Sequence, residues 1–181
     1  GACNTLYRDG EKICGENTDV IGFTAPLRKR SLPPKPACWC SVREAFTGGH
    51  CGTAEARPRQ YYPHQPPERA REALCNEFGL LCAPWEERGD VPADLIINTT
   101  PLGMTGAQEH ETPTLGHFKK GIAYDLIYTP FQTRFLRDAA AAGWETVSGL
   151  DMFIGQGDAQ FHLWTGHHLP EEAITAVTSA L

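Results

Sequence analysis

The sequence predicts an α/β fold, part of a doubly wound parallel sheet followed by C-terminal helices. Two observations predict it. From Pro67 onward, helical stretches alternate with short apolar runs, the pattern of parallel strands joined by crossover helices. The chain then closes on two helical stretches with no further strand. In order, Pro67 opens a helix whose apolar face is Ala70, Ala73, Leu74 and Phe78, with Gly79 as its cap. Leu95-Ile96-Ile97 reads as a buried strand and Ile122-Ala123-Tyr124-Asp125-Leu126 as a second. Thr133 is placed to N-cap a helix through Phe135, Leu136, Ala139 and Ala140 that stops at Gly143. Glu145-Thr146-Val147 is a short third strand. The last two helices run from about Met152 to Trp164 and from Pro170 to Leu181. The final one carries Ala173, Ile174, Val177, Ala180 and Leu181 on one stripe, which is expected to pack into a core.

A chain of 181 residues suits one ordinary domain, or one domain and a piece of another. Its formal net charge is -6, and its Lys and Arg residues are scattered, which argues against a nucleic-acid surface. No apolar run approaches a membrane span, and Gly1 begins inside a motif rather than in a signal segment. The expectation is a cytoplasmic protein with a small-molecule ligand. The seven cysteines are an odd set without paired spacing, so buried thiols are the plain reading. Cys38, Cys40, His50 and Cys51 offer zinc-type ligand atoms, yet their spacing is not that of a zinc knuckle, and no metal is assigned.

Four blocks carry a family resemblance. They are Gly1-Ala2-Cys3-Asn4-Thr5 with Asn17-Thr18-Asp19-Val20-Ile21-Gly22-Phe23; Asp94 through Asn98-Thr99-Thr100-Pro101-Leu102-Gly103-Met104; Tyr124-Asp125-Leu126-Ile127-Tyr128-Thr129-Pro130; and Ser148-Gly149-Leu150-Asp151-Met152-Phe153-Ile154-Gly155-Gln156-Gly157, running on to Phe161-His162-Leu163-Trp164-Thr165-Gly166. In this order they resemble the shikimate dehydrogenases. The resemblance implies a Rossmann-like cofactor domain and NADPH-dependent reduction of 3-dehydroshikimate to shikimate, in the chorismate route to aromatic amino acids. It also implies that residues 1–24 end a substrate-binding domain, 25–150 form the NADP-binding domain, and 151–181 are helices returning to the first.

Within that resemblance Asp19 matches the carboxylate beside the reacting oxygen, where it orients the hydroxyl and tunes a neighbouring acid. Asn4 matches the asparagine that binds a substrate hydroxyl, Gln156 a substrate-facing glutamine at the start of the penultimate helix, and Tyr128 a tyrosine near ring and carboxylate. Asn98, Thr99 and Thr100 match the loop passing alongside the dinucleotide, and Ile127, Gly149 and Met152 match positions around the nicotinamide. The family's catalytic lysine lies upstream of Gly1, and none of Lys12, Lys29, Lys35, Lys119 or Lys120 sits in its motif. The chain is therefore expected to be a fragment, inactive on its own. A homodimer is one arrangement of the intact enzyme. Quinate instead of shikimate, NAD instead of NADP, and a non-catalytic polyol-binding remnant stay open as alternatives.

Residues 35–66 fit none of this. Where the first strand and glycine turn of a dinucleotide fold belong, Pro, Cys and Arg crowd a stretch with neither helical nor strand period. Starting each codon at its third base turns Cys38-Trp39-Cys40 into Leu-Val followed by Leu or Phe. Through Glu44 the same frame gives Gly-Ala-Gly-Gly when the wobble base is G. Starting at the second base makes Tyr61-Tyr62-Pro63-His64-Gln65 compatible with Ile-Ile-Leu-Ile-Asn. An out-of-frame segment between compensating indels is the expectation, with a Pro-rich insert as the alternative. Either way, 35–66 is expected to lack a regular buried strand followed by a glycine turn and helix.

Overall fold

The computed structural model describes residues 2–33, 38–41, 60–61, 76, 93–113 and 120–180. In these the elements are β1 (Thr5–Asp9), β2 (Lys12–Glu16), α1 (Thr18–Arg28), β3 (Cys38–Ser41), β4 (Gln60–Tyr61), β5 (Leu95–Asn98) and β6 (Ile122–Asp125). There follow α2 (Arg134–Ala141), β7 (Glu145–Val147), α3 (Gly149–Thr165) and α4 (Glu171–Ala180). Among the described residues no helix is long and apolar enough to cross a membrane. The helix expected from Pro67 to Gly79 lies outside the described residues apart from Asn76, which is helical. Two compact units separate, one holding Gly1–Ser31 and Leu150–Leu181, the other the described residues between Leu32 and Gly149.

The second unit is the parallel sheet, in the order β4-β3-β5-β6-β7. The register pairs Ser41 with Asn98 and Asn98 with Asp125, so the carboxyl ends of three strands share one edge. All four residues of β5 and of β6 are buried, as strands covered on both faces must be. On one face Ile96 and Ala123 pack with Phe135, Leu136 and Ala139 of α2 and with Trp144. The three strands expected from the apolar runs form where the sequence places them. Within the stretch expected to lack a buried strand with a glycine turn and helix, a strand does form at 38–41. Cys38 is fully buried in it, and β3 pairs in parallel over four residues with β5. Backbone pairing against a buried central strand outweighs the poor local strand signal. The turn following β3 lies outside the described residues.

The first unit begins with an antiparallel hairpin, β1 against β2, closed by a two-residue loop in which Gly10 has φ +59°. Asn17 caps α1 by accepting from the Asp19 backbone N–H at 3.2 Å. The Trp164 indole N–H donates to the Leu6 carbonyl at 2.9 Å and ties α3 to the hairpin. Helix α3 begins at Gly149, a turn earlier than the expected Met152. The expected core stripe on the last helix is not core: no residue of α4 is buried, and Val177 is exposed. Its Ile174 lines a cavity of about 850 Å³ with Ile21, Ile154 and Leu163.

Candidate active site

Asn4 sits just before β1, and its side chain is the pivot of the first unit's polar cluster. Its Oδ1 accepts from the Thr5 hydroxyl at 2.8 Å, the Thr18 backbone N–H at 3.0 Å and the Thr18 hydroxyl at 3.2 Å. Three donors around one atom demand an oxygen, which fixes the amide orientation. The Nδ2 hydrogens therefore point away from the cluster, and Asn4 itself is exposed. Thr5 and Thr18 are both buried, so this arrangement is held from below. Asp19 follows in the first turn of α1, where the helix dipole favours a carboxylate.

Gln156 reaches the same helix from α3. A Cβ added at Gly22 would lie 2.5 Å from the Met152 carbonyl oxygen and 2.7 Å from the Gln156 backbone nitrogen. One added at Gly155 would lie 3.1 Å from the Gly22 Cα. Glycine at both positions lets the two helices cross at backbone distance. Asp19 stands three residues before Gly22 and thus on the same helix face, one turn from the crossing. Asn4, Asp19 and Gln156 are thereby gathered around the N-terminal half of α1. Gln156 sits two turns into α3 rather than at its start, half-buried, and its Nε2 donates to the Phe153 carbonyl at 3.0 Å.

In the second unit the expected cofactor loop follows β5. Asn98 is fully buried and its amide is saturated. Nδ2 donates to the Leu102 carbonyl and to Asp125 Oδ1, both at 3.0 Å; Oδ1 accepts from the Thr100 N–H at 3.1 Å and the Thr100 hydroxyl at 2.6 Å. Asn98 and Thr100 consequently shape the loop, and Thr99 between them is only half-buried. Asp125, fully buried, also accepts from the Ile127 N–H at 3.1 Å and from the Thr133 hydroxyl at 2.5 Å. Burial pushes its carboxyl up to about 6, against the lowering effect of Thr133, Ile127 and Asn98. The loop is pinned across to the next segment where the Thr105 N–H donates to the Thr129 carbonyl at 3.1 Å.

Ile127 is buried beside this network and Tyr128 is exposed at 44%. The Gly149 N–H donates to the Ile127 carbonyl at 3.2 Å, and a Cβ at Gly149 would strike the carbonyl oxygens of Leu126 and Ile127. Only glycine permits that approach. Met152 is half-buried in the first unit. Sequence reasoning missed Thr5, Thr18 and Asp125, and for Thr133 it found the cap but not the bond to Asp125. The first three stand inside the quoted motifs, so the signal was there; their hydrogen-bonding roles depend on pairings 13 to 27 residues apart.

Residues 149–177 match the model of the shikimate 5'-dehydrogenase C-terminal domain. The shikimate dehydrogenase (NADP(+)) of Pelobacter propionicus is 44% identical over 189 residues, covering all of this chain and 67% of its own length. That of Oleidesulfovibrio alaskensis is 43% identical, with 94% and 62% covered. The solved shikimate 5-dehydrogenase of Thermus thermophilus, in complex with NADP(H) and shikimate, superposes with a TM-score of 0.78 at 31% identity over 99% of this chain and 68% of that one. The chain spans about two thirds of the length of these relatives. A parallel sheet with the loops after β5 and β6 at its carboxyl edge is the architecture of the doubly wound, nucleotide-binding type of α/β protein. With those relatives the class narrows to one family: the chain belongs to the NADP-dependent shikimate dehydrogenases, oxidoreductases acting on a CH–OH group.

Proposed function

We propose that this chain serves the NADP-dependent interconversion of 3-dehydroshikimate and shikimate, with Asp19 as catalytic residue and Asn4, Tyr128 and Gln156 as substrate contacts. The observation that carries the reading is the Asn4 cluster: three internal donors occupy Oδ1, so the remaining Nδ2 hydrogens are fixed as donors toward a hydroxyl oxygen. Asp19, one residue after Thr18, supplies the complementary acceptor. A donor and an acceptor on adjoining pieces of chain suit two neighbouring ring hydroxyls. Bound NADPH would supply the hydride for the carbonyl carbon, and the proton that completes the hydroxyl would come from an acid other than Asp19, the role the family gives to its lysine. Asp19 accepts the hydrogen bond of the hydroxyl formed there and fixes its direction, while the amide of Asn4 holds the adjacent oxygen.

On the cofactor side, we assign residues 25–150 to dinucleotide binding and 1–24 with 151–181 to the substrate. The carboxyl edge at Asn98 and Asp125 fits this assignment, because ligands of such sheets lie beyond the strand ends. Gly149 packed on the Ile127 carbonyl brings backbone instead of a side chain to that edge, leaving room for a flat ring. Asn98 and Thr100 support the loop from inside; Thr99, Ile127 and Met152 complete the proposed set. Calorimetric titration with shikimate and with NADP+ tests the reading. Saturable binding of both is expected, with shikimate binding weakened by Asp19→Asn. Binding of neither ligand would remove it.

A further inference from the structure

We propose that Asp125 is the positioning residue of the cofactor edge: its buried carboxylate holds the loop of residues 98–104 and the segment of Ile127 and Tyr128 in one mutual arrangement without itself touching ligand. A carboxylate is costly to bury at the end of a sheet strand, and its three donors come from three separate pieces of chain. Asn98 passes the constraint into the loop, since the same amide that donates to Asp125 also holds Leu102 and Thr100. The Ile127 N–H passes it into the segment that bears Tyr128. Thr133 passes it to the start of α2, where its hydroxyl also accepts from the Leu136 N–H at 3.3 Å as the helix cap.

The surroundings leave these pieces little independent freedom. Gly103 has φ +99°, and a Cβ there would lie 3.3 Å from Thr133, so the loop rests on the cap residue. The Leu126 N–H donates to the Asn98 carbonyl at 3.0 Å, directly above the Asn98 and Asp125 pairing. Arg134, next to the cap, donates to the His110 carbonyl at 3.0 Å further along the same loop. Removing the carboxylate therefore unfastens both sides of the edge together, whereas removing any one donor unfastens a single piece.

The inference rests on the cofactor assignment proposed above, and two readouts keep them distinguishable. Amide hydrogen exchange in Asp125→Ala is expected to quicken about 10- to 100-fold at Thr100, Leu102 and Ile127, while the amides of β1 and β2 stay as in the wild type. Asp125→Asn, which keeps one acceptor oxygen, should fall between, and it carries the test if Asp125→Ala does not fold. NADP+ should bind Asp125→Ala about 10-fold more weakly, the order expected when a site loses its supporting shell. Protected amides at those three positions, uniform loosening that reaches Ala139 and Trp144, or unchanged NADP+ affinity with a loosened loop would each overturn the proposal. A wild-type chain that does not bind NADP+ would sink the cofactor assignment, while the exchange pattern would still decide whether Asp125 organises the edge.

Discussion

At the scale of single residues, the Asn4 amide shows how internal bonding dictates what a side chain can offer outward. With Oδ1 taken by Thr5 and Thr18, only N–H donors remain for a ligand. Asn4→Asp should therefore keep the fold, since a carboxylate accepts the same three donors, yet it offers a ligand hydroxyl no N–H donor. Shikimate affinity is expected to fall about 10- to 100-fold with a stability change under about 1 kcal/mol, read by titration calorimetry and thermal melting. Asp19 behaves in the opposite sense. In an enzyme completed with the upstream substrate domain and a restored dinucleotide-binding segment, Asp19→Asn should lower kcat for shikimate oxidation by about 100-fold or more while leaving the melting temperature nearly unchanged, because its proposed work is on the reacting hydroxyl. Gly22 is a packing constraint: Gly22→Ala places a methyl against the Met152 carbonyl and the Gln156 backbone, and should cost about 1–3 kcal/mol in denaturant unfolding.

At the scale of elements, the strands at 95–98, 122–125 and 145–147 and the capped helix α2 were legible, because each is written in a local code of apolar run, cap and stop. Thr133 shows both the reach and the limit of that code. Its cap role follows from its place before the helix; its bond to Asp125 arises only when the edge of the sheet is built. Thr133→Val should consequently cost more than an ordinary cap, about 2–3 kcal/mol, with Thr133→Ser restoring most of it in urea unfolding. Strand β3 was illegible for the complementary reason, since its order comes from β5 and not from its own residues. The stripe on α4 misled because periodicity announces an apolar face and says nothing of what covers it. Asn4, Asp19 and Gln156 came to notice through motif resemblance; the Gly22 and Gly155 crossing that brings Gln156 to α1 could not be read from spacing across the intervening residues.

At the scale of the whole molecule, two buried or clamped carboxylates act on stability in different pH windows. Asp158 accepts from the Leu169 N–H at 2.7 Å and pairs with His168 at 2.8 Å. Partial burial would raise its carboxyl, but those hydrogen bonds and the histidines hold it below the ordinary value. A depressed folded value adds stability above the unfolded one, and that stability is lost only as pH falls below about 4. Asp125 has the reverse sign. Its folded value near 6 exceeds the unfolded 3.8, so the native state binds the extra proton between them and stability declines as pH rises through that interval. An interval of that width corresponds to about 3 kcal/mol, an upper bound for a group with three donors. Asp125→Asn carries no such titration, so the wild-type minus Asp125→Asn difference in unfolding free energy should fall by about 2–3 kcal/mol between about pH 4 and pH 7. Below about pH 4 that difference should flatten, since Asp158 is common to both proteins. Urea unfolding at closely spaced pH values checks it, and a difference independent of pH would show that Asp125 titrates in the folded chain as it does in the unfolded one.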